Sequence, residues 1–176
     1  MLIAGDPAFR LGGRRPVGAT TKADPGPHGA GRARPKVLLV DADPRVRATL
    51  GAALRDAGMT VRTAADGLGG LYAVERERPD VVVLDLELPV VSGFRLLHLL
   101  KRGGAETAPP ADGVRTPVLV LTALSWEEAW EAVCDGAEDI VTKPVAPPDL
   151  VACVQCLLDQ RQTAATPGGT LASTAA

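Results

Sequence analysis

A chain of 176 residues, 46% apolar and only 3% aromatic, has room for one domain with tails and must build its core from Val, Leu and Ala. No apolar run approaches the roughly 20 residues of a membrane span, and Met1–Ala4 is too short for the apolar part of a signal peptide, which predicts a soluble, cytoplasmic protein without a membrane partner. The net charge of −2 is unevenly divided: residues 1–35 hold six basic side chains against Asp6 and Asp24, a local +4, so the remainder stands at −6.

Residues 1–35 contain seven Gly and five Pro with no apolar periodicity, the composition of a disordered basic arm. Such an arm could touch nucleic acid or an acidic partner, although a solvated tail is the plainer reading. Order is expected from Lys36. A first strand, Lys36–Val40, runs into Asp41, and Asp43-Pro44 then supplies an N-cap and a first-turn Pro for a helix faced by Val46, Leu50 and Leu54 and stopped at Gly58. Met59–Thr63 reads as a short second strand. The helix after it, Asp66 to about Arg78, contains Gly67, Gly69 and Gly70, each costing about 1 kcal/mol relative to Ala, and is expected to be the most mobile element.

Val81–Leu84 is an unbroken apolar run, the pattern of a strand buried on both faces, and Asp85 sits where it ends. A helix from about Ser92 to Arg102 places Phe94, Leu97 and Leu100 inward and His98 near the outer face. Gly103–Pro117 is a long loop expected at the sheet edge away from the strand C-termini. Val118–Leu121 runs into Thr122, and a helix follows from Ser125 to Asp135, closed by Gly136. Its Trp126 and Trp130 lie four apart and share a face, either as an exposed docking patch or with Trp130 in the core. Ile140–Thr142 runs into Lys143. Pro148-Asp149 opens a last helix with Leu150, Val154, Leu157 and Leu158 as apolar positions, and 161–176 reads as a disordered tail. Cys153 and Cys156 share a face of that helix; with no second ligand pair and only His28 and His98 in the chain, they read as small buried residues rather than a metal or redox site.

Five strands alternating with five helices predict a doubly wound α/β domain of about 125 residues with a parallel sheet. An Asp after one strand could simply cap the next turn. The recurrence is what points to chemistry: in a parallel sheet Asp41, Asp85, Thr122 and Lys143 all arrive at one edge, where open α/β sheets bind ligands.

The motifs VDADP, D-x-x-L-P-x-x-x-G from Asp85 to Gly93, LTA at 121–123 and GAEDIVTKP at 136–144 together resemble the receiver domain of two-component response regulators, over Lys36 to about Gln160. The resemblance implies a flavodoxin-like sheet of order 2-1-3-4-5 and a phosphoacceptor at Asp85. It implies Mg²⁺ held by Asp41, Asp85 and the backbone carbonyl of Glu87, with Lys143 pairing with one phosphoryl oxygen and Thr122 bonding another once phosphate is present. The chemistry suits these residue types: an acyl phosphate forms between two anions, so a hard cation and an ammonium must neutralise the charge. The implied partners are a histidine kinase or phosphotransfer protein and a downstream protein docking on helix 4, strand 5 and helix 5, where Trp126 and Trp130 lie. A non-enzymatic single-domain phosphorelay regulator without a DNA-binding domain is expected.

Two positions depart from the family pattern. Ala42 stands where a second metal-binding acid is usual, which should weaken Mg²⁺ binding, with Asp43 a candidate to compensate. Ile140 stands where a Tyr or Phe usually changes rotamer. These departures leave open a degenerate receiver acting as a phosphorylation-independent interaction module. A haloacid-dehalogenase-type phosphatase using Asp41 and Asp43 is a remote reading, because no acidic pair follows Lys143 and the Asp85 stretch would have no role. A flavodoxin-like flavin binder fits the architecture, but acids after the first strand would repel its phosphate.

Overall fold

The computed structural model describes residues 33–102 and 115–165; all but the last three residues of the predicted arm, most of the Gly103–Pro117 loop and the last residues of the tail lie outside the described residues. Strands and helices alternate strictly: β1 (Lys36–Val40), α1 (Pro44–Asp56), β2 (Thr60–Ala64), α2 (Gly67–Glu77), β3 (Val81–Leu84), α3 (Gly93–Arg102), β4 (Val118–Thr122), α4 (Trp126–Cys134), β5 (Asp139–Thr142) and α5 (Pro147–Ala165). The sheet is parallel throughout, in the order β2-β1-β3-β4-β5. This is the doubly wound arrangement the sequence predicts.

The two-residue period of the strands divides the core in two. Leu38, Val40, Val82, Leu84, Val118 and Val120 face a layer containing Leu96, Leu97, Ala129 and Ala132 of α3 and α4. Val37, Leu39, Val81, Val83, Leu119 and Leu121 face Leu50 and Leu54 of α1 and Leu150, Val154, Leu157 and Leu158 of α5. All four residues of β3 are buried, as a central strand covered on both faces requires. The register pairs Val40 with Leu84 and Thr122 with Thr142, so the strand ends lie level.

Local signals set the helix boundaries. Asp43 caps α1 by accepting from the Arg45 N–H, Asp66 caps α2 by accepting from the Gly69 N–H, and Ser125 and Glu128 form a reciprocal capping box on α4. Gly58 and Gly136, at φ 87° and 96°, carry the chain out of α1 and α4.

Several expectations shift. β2 runs one residue later than predicted, Leu96 joins Leu97 at the centre of the α3 contact, and α5 continues to Ala165, so 161–165 is helix rather than tail. Arg161 helps to hold that extension, its Nη1 donating to the carbonyl of Asp80 at 3.0 Å. Cys153 is buried as expected, but Cys156 is exposed. Trp130 is 50% exposed, which removes the core reading. The α2 glycines serve packing. A Cβ on Gly67 would overlap the Val91 carbonyl, and one on Gly70 would lie 2.8 Å from Leu96 and 3.2 Å from Val40, whereas Gly69 has ordinary clearance.

This distinction gives opposite signs for two neighbouring substitutions. Gly70→Ala should lower stability by about 1–3 kcal/mol through overpacking, while Gly69→Ala should raise it by up to about 1 kcal/mol through helix propensity. Urea unfolding of the two variants checks this, and equal effects would show that helix propensity alone governs α2.

Candidate functional site

Four polar residues stand within one position of the strand ends. Asp41 follows β1, Asp85 follows β3, Thr122 ends β4 and Lys143 follows β5. The ladder continues past the strands to fix them: Asp85 N–H donates to the Val40 carbonyl at 2.9 Å, Asp41 N–H to Ala64 at 3.2 Å and Lys143 N–H to Thr122 at 2.8 Å. Asp41, Asp85 and Thr122 are at most 4% exposed. Such burial of two carboxylates is costly unless they are paired.

Lys143 provides the pairing. Its Nζ lies 2.7 Å from Asp41 Oδ2 and 2.8 Å from Asp85 Oδ2, bridging strands that are not neighbours of β5. The second oxygens are satisfied locally: Asp41 Oδ1 accepts from the Asp43 N–H at 2.8 Å and Asp85 Oδ1 from the Glu87 N–H at 3.0 Å. Burial pulls the Lys143 pKa down, but the hydrogen bonds and charges of Asp41 and Asp85 together outweigh it and hold the ammonium above its ordinary value.

Apart from this ammonium, Asp41 Oδ2 meets no donor among the described residues. A buried carboxylate oxygen held only by an ion pair, beside a second carboxylate, is a donor set for a hard divalent cation, which favours oxygen ligands and keeps several waters. The set is small. Among the described residues no group of three or more His, Cys, Asp or Glu comes together. Ala42 is exposed at the position of the missing acid, and the Asp43 carboxylate is exposed and occupied in capping α1, so the structure does not bring Asp43 into the cluster.

Thr122 Oγ1 accepts from the Leu124 N–H at 3.1 Å, linking the site to the residues just before α4. Ile140 is 5% exposed in the core cluster under α4. His98 is partly exposed and away from the cluster, with Nδ1 3.5 Å from Asp135. The β3–α3 loop folds tightly: Val91 N–H bonds the Pro89 carbonyl at 2.8 Å around Val90, whose φ of 68° is strained for a β-branched residue. Gly93 is required because a Cβ there would overlap the Asp85 carbonyl. The Lys143-Pro144 peptide is cis.

Sequence reasoning missed Arg47. Its Nη1 donates to the carbonyls of Asp41 at 2.6 Å and Ala42 at 2.8 Å, tying α1 to the loop that presents Asp41. Its position six residues after Asp41, one α-helical turn into α1, is the only signal that could have found it.

A family model described as the response regulator receiver domain matches residues 37–155. The transcriptional regulatory protein PrrA of Mycobacterium tuberculosis is 38% identical over 133 residues, 75% of this chain and 53% of PrrA. The DNA-binding dual master transcriptional regulator RpaA of Synechocystis is 35% identical over 125 residues, 70% of this chain and 49% of RpaA. The receiver domain of the sensor histidine kinase PA1611 of Pseudomonas aeruginosa, solved with a magnesium ion coordinated in its active-site cleft, matches with a TM-score of 0.62 and 28% identity, covering 72% of this chain and 99% of that one. This chain spans about half the length of the curated relatives it matches.

These relatives correct one expectation, that the protein works without a DNA-binding domain. They are transcriptional regulators, one of them DNA-binding. The physical reason is that the motifs at the strand ends describe only the receiver module and carry no information about what is coupled to it. No helix among the described residues is long and apolar enough to cross a membrane.

Because its pKa is raised on folding, Lys143 contributes stability that is fully present below the ordinary lysine value of 10.5 and is lost as pH rises through the folded-state value. Lys143→Met leaves two buried carboxylates without a cation and should cost about 2–4 kcal/mol at neutral pH. The deficit should shrink as pH rises past the ordinary lysine value of 10.5, where the unaltered chain begins to lose the ammonium as well. Urea melts at neutral and at strongly alkaline pH test this; a deficit independent of pH would mean that lost packing, not lost charge, is responsible.

Proposed function

Because the chain belongs to the response regulator receiver domain family, we propose that it accepts a phosphoryl group on Asp85 from a histidine kinase or phosphotransfer protein and passes the signal on by protein contact. The observation that carries this reading is Lys143 Nζ at 2.8 Å from Asp85 Oδ2, with Asp41 2.7 Å from the same ammonium. Receiver domains are signalling modules, and the relatives point to control of transcription as the output served.

In the transfer, an oxygen of the Asp85 carboxylate forms a bond to phosphorus as the bond between phosphorus and the donor's imidazole nitrogen breaks, giving an aspartyl phosphate. Asp41, Asp85 and the Glu87 main-chain carbonyl would hold Mg²⁺, which supplies charge neutralisation when bound. Lys143 keeps the Asp85 oxygen oriented and offers its ammonium to the added phosphoryl oxygens. Thr122 already uses its oxygen to accept from Leu124, so its own proton is free to be donated to a phosphoryl oxygen. Drawing Thr122 inward then pulls on Leu124, one residue before the Ser125 cap of α4.

The bridging of both acids by Lys143, together with Ala42 at the missing acid, favours one other reading, a phosphorylation-independent interaction module. A phosphatase is not supported, since the Asp43 carboxylate it would use as its acid caps α1.

Incubation with acetyl phosphate and Mg²⁺, followed by intact mass, decides between the two supported readings. One added phosphoryl group, absent in Asp85→Asn and after chelation, is expected. No adduct from acetyl phosphate or from a panel of kinases would favour the interaction module. Restoring the missing acid with Ala42→Asp should tighten Mg²⁺ binding at least about tenfold, read by titration calorimetry; unchanged affinity would mean that position 42 does not face the metal.

A further inference from the structure

The region from α4 to α5 carries charge of one sign. Residues 126–160 contain eight acids and one basic residue, Lys143, which is committed to the buried pair. Arg102 and Lys101 of α3 answer Asp135 and Glu138. Glu127 and Glu131, however, stand exposed on the helix face that also presents Trp130, half of which is in water. An indole with carboxylates along one side offers an apolar patch with an acidic margin, the anatomy of a site for a basic, partly apolar segment. A second copy presenting the same face would set acid against acid, which opposes symmetric pairing. Other surfaces are mixed: α1 presents Arg45, Arg55 and Asp56, and α2 ends in Glu75, Arg76 and Glu77.

We propose that this face of α4 is covered by the chain's own basic segment, residues 1–35, as an intramolecular contact. The segment carries a net +4, and Phe9, Leu11 and Val17 are interleaved with Arg10, Arg14 and Arg15, a pattern that complements Trp130 beside Glu127 and Glu131. It joins the domain at Pro35, next to β1. β1 lies three positions from β5 in the sheet, about 14 Å at roughly 4.8 Å per step. The residues ahead of Pro35 can span up to about 3.3 Å each, so reach is not limiting. Tethering makes the contact intramolecular, so a contact too weak to form between separate molecules can be populated. The segment then acts as a cover that any other ligand of α4 must displace, whether or not Asp85 is phosphorylated.

The chain's two tryptophans, Trp126 and Trp130, both lie in α4, so emission excited selectively at tryptophan, clear of Tyr72 in α2, reads this helix alone. Acrylamide quenching of the full chain should rise about twofold between low ionic strength and about 0.5 M NaCl, as screening releases the segment. The full chain carrying Arg10→Glu, Arg14→Glu and Arg15→Glu should show the high-salt value at every salt concentration, and adding Glu127→Lys and Glu131→Lys to it should restore protection. Equal low-salt quenching of the unaltered chain and the triple variant would overturn the proposal, as would quenching insensitive to salt. Protection that disappears on dilution from about 100 to 1 µM would overturn it in favour of contact between two copies. Matching melting temperatures confirm that the compared chains are equally folded.

Discussion

The ammonium of Lys143 is the constraint on which the site depends. Two carboxylates are brought out of water at the ends of β1 and β3, and the cation from β5 makes their burial tolerable. The pairing spans the sheet: β4 lies between β5 and β3, and β3 lies between it and β1. The distances of 2.7 and 2.8 Å therefore report the register of four strands at once. A slip of one residue in any of them would turn a core residue toward the site and a polar or charged one into the core.

The core keeps that register. Alternate residues of β1, β3 and β4 feed two separate apolar layers, so each strand is held from both faces. The loops are held by different means. Arg47 fixes the β1–α1 loop through two backbone carbonyls, and Gly93 allows the β3–α3 loop to pass against the backbone of Asp85. The strained Val90 marks the point where this second loop turns most sharply. The acids are thus presented by short, fixed segments, and Thr122 is anchored through Leu124 to the start of α4.

Much of this was legible in the sequence because the signals were local. Val81–Leu84 followed by Asp85, and Asp43-Pro44 ahead of an apolar helix face, each specify their own geometry. What stayed hidden depended on distant contacts. Gly67 and Gly70 read as weak helix formers because sequence shows their propensity and not the Val91 and Leu96 atoms pressed against them. Asp43 read as a metal candidate because adjacency to Asp41 was visible, whereas competition from the α1 cap settles where its oxygen goes. Arg47 was missed since an exposed-looking arginine on a helix carries no mark of the carbonyls it reaches. The extension of α5 to Ala165 depends in part on Arg161 meeting Asp80, more than 80 positions earlier.

The sheet has two edges of unlike character. At one, every residue count between strand and helix is fixed by the site. At the other, the fold is stapled by ion pairs and backbone bonds: Lys36 N–H to Asp80, Val118 N–H to Glu138, and Lys101 to Glu138 and the Thr116 carbonyl. These staples close before and after the connection between α3 and β4, so the length of that connection is not registered at the far edge. The domain therefore has a side on which its sequence can grow or shorten without altering its chemistry. A reporter or an affinity handle would be best placed there, as would any insertion through which new regulation is acquired.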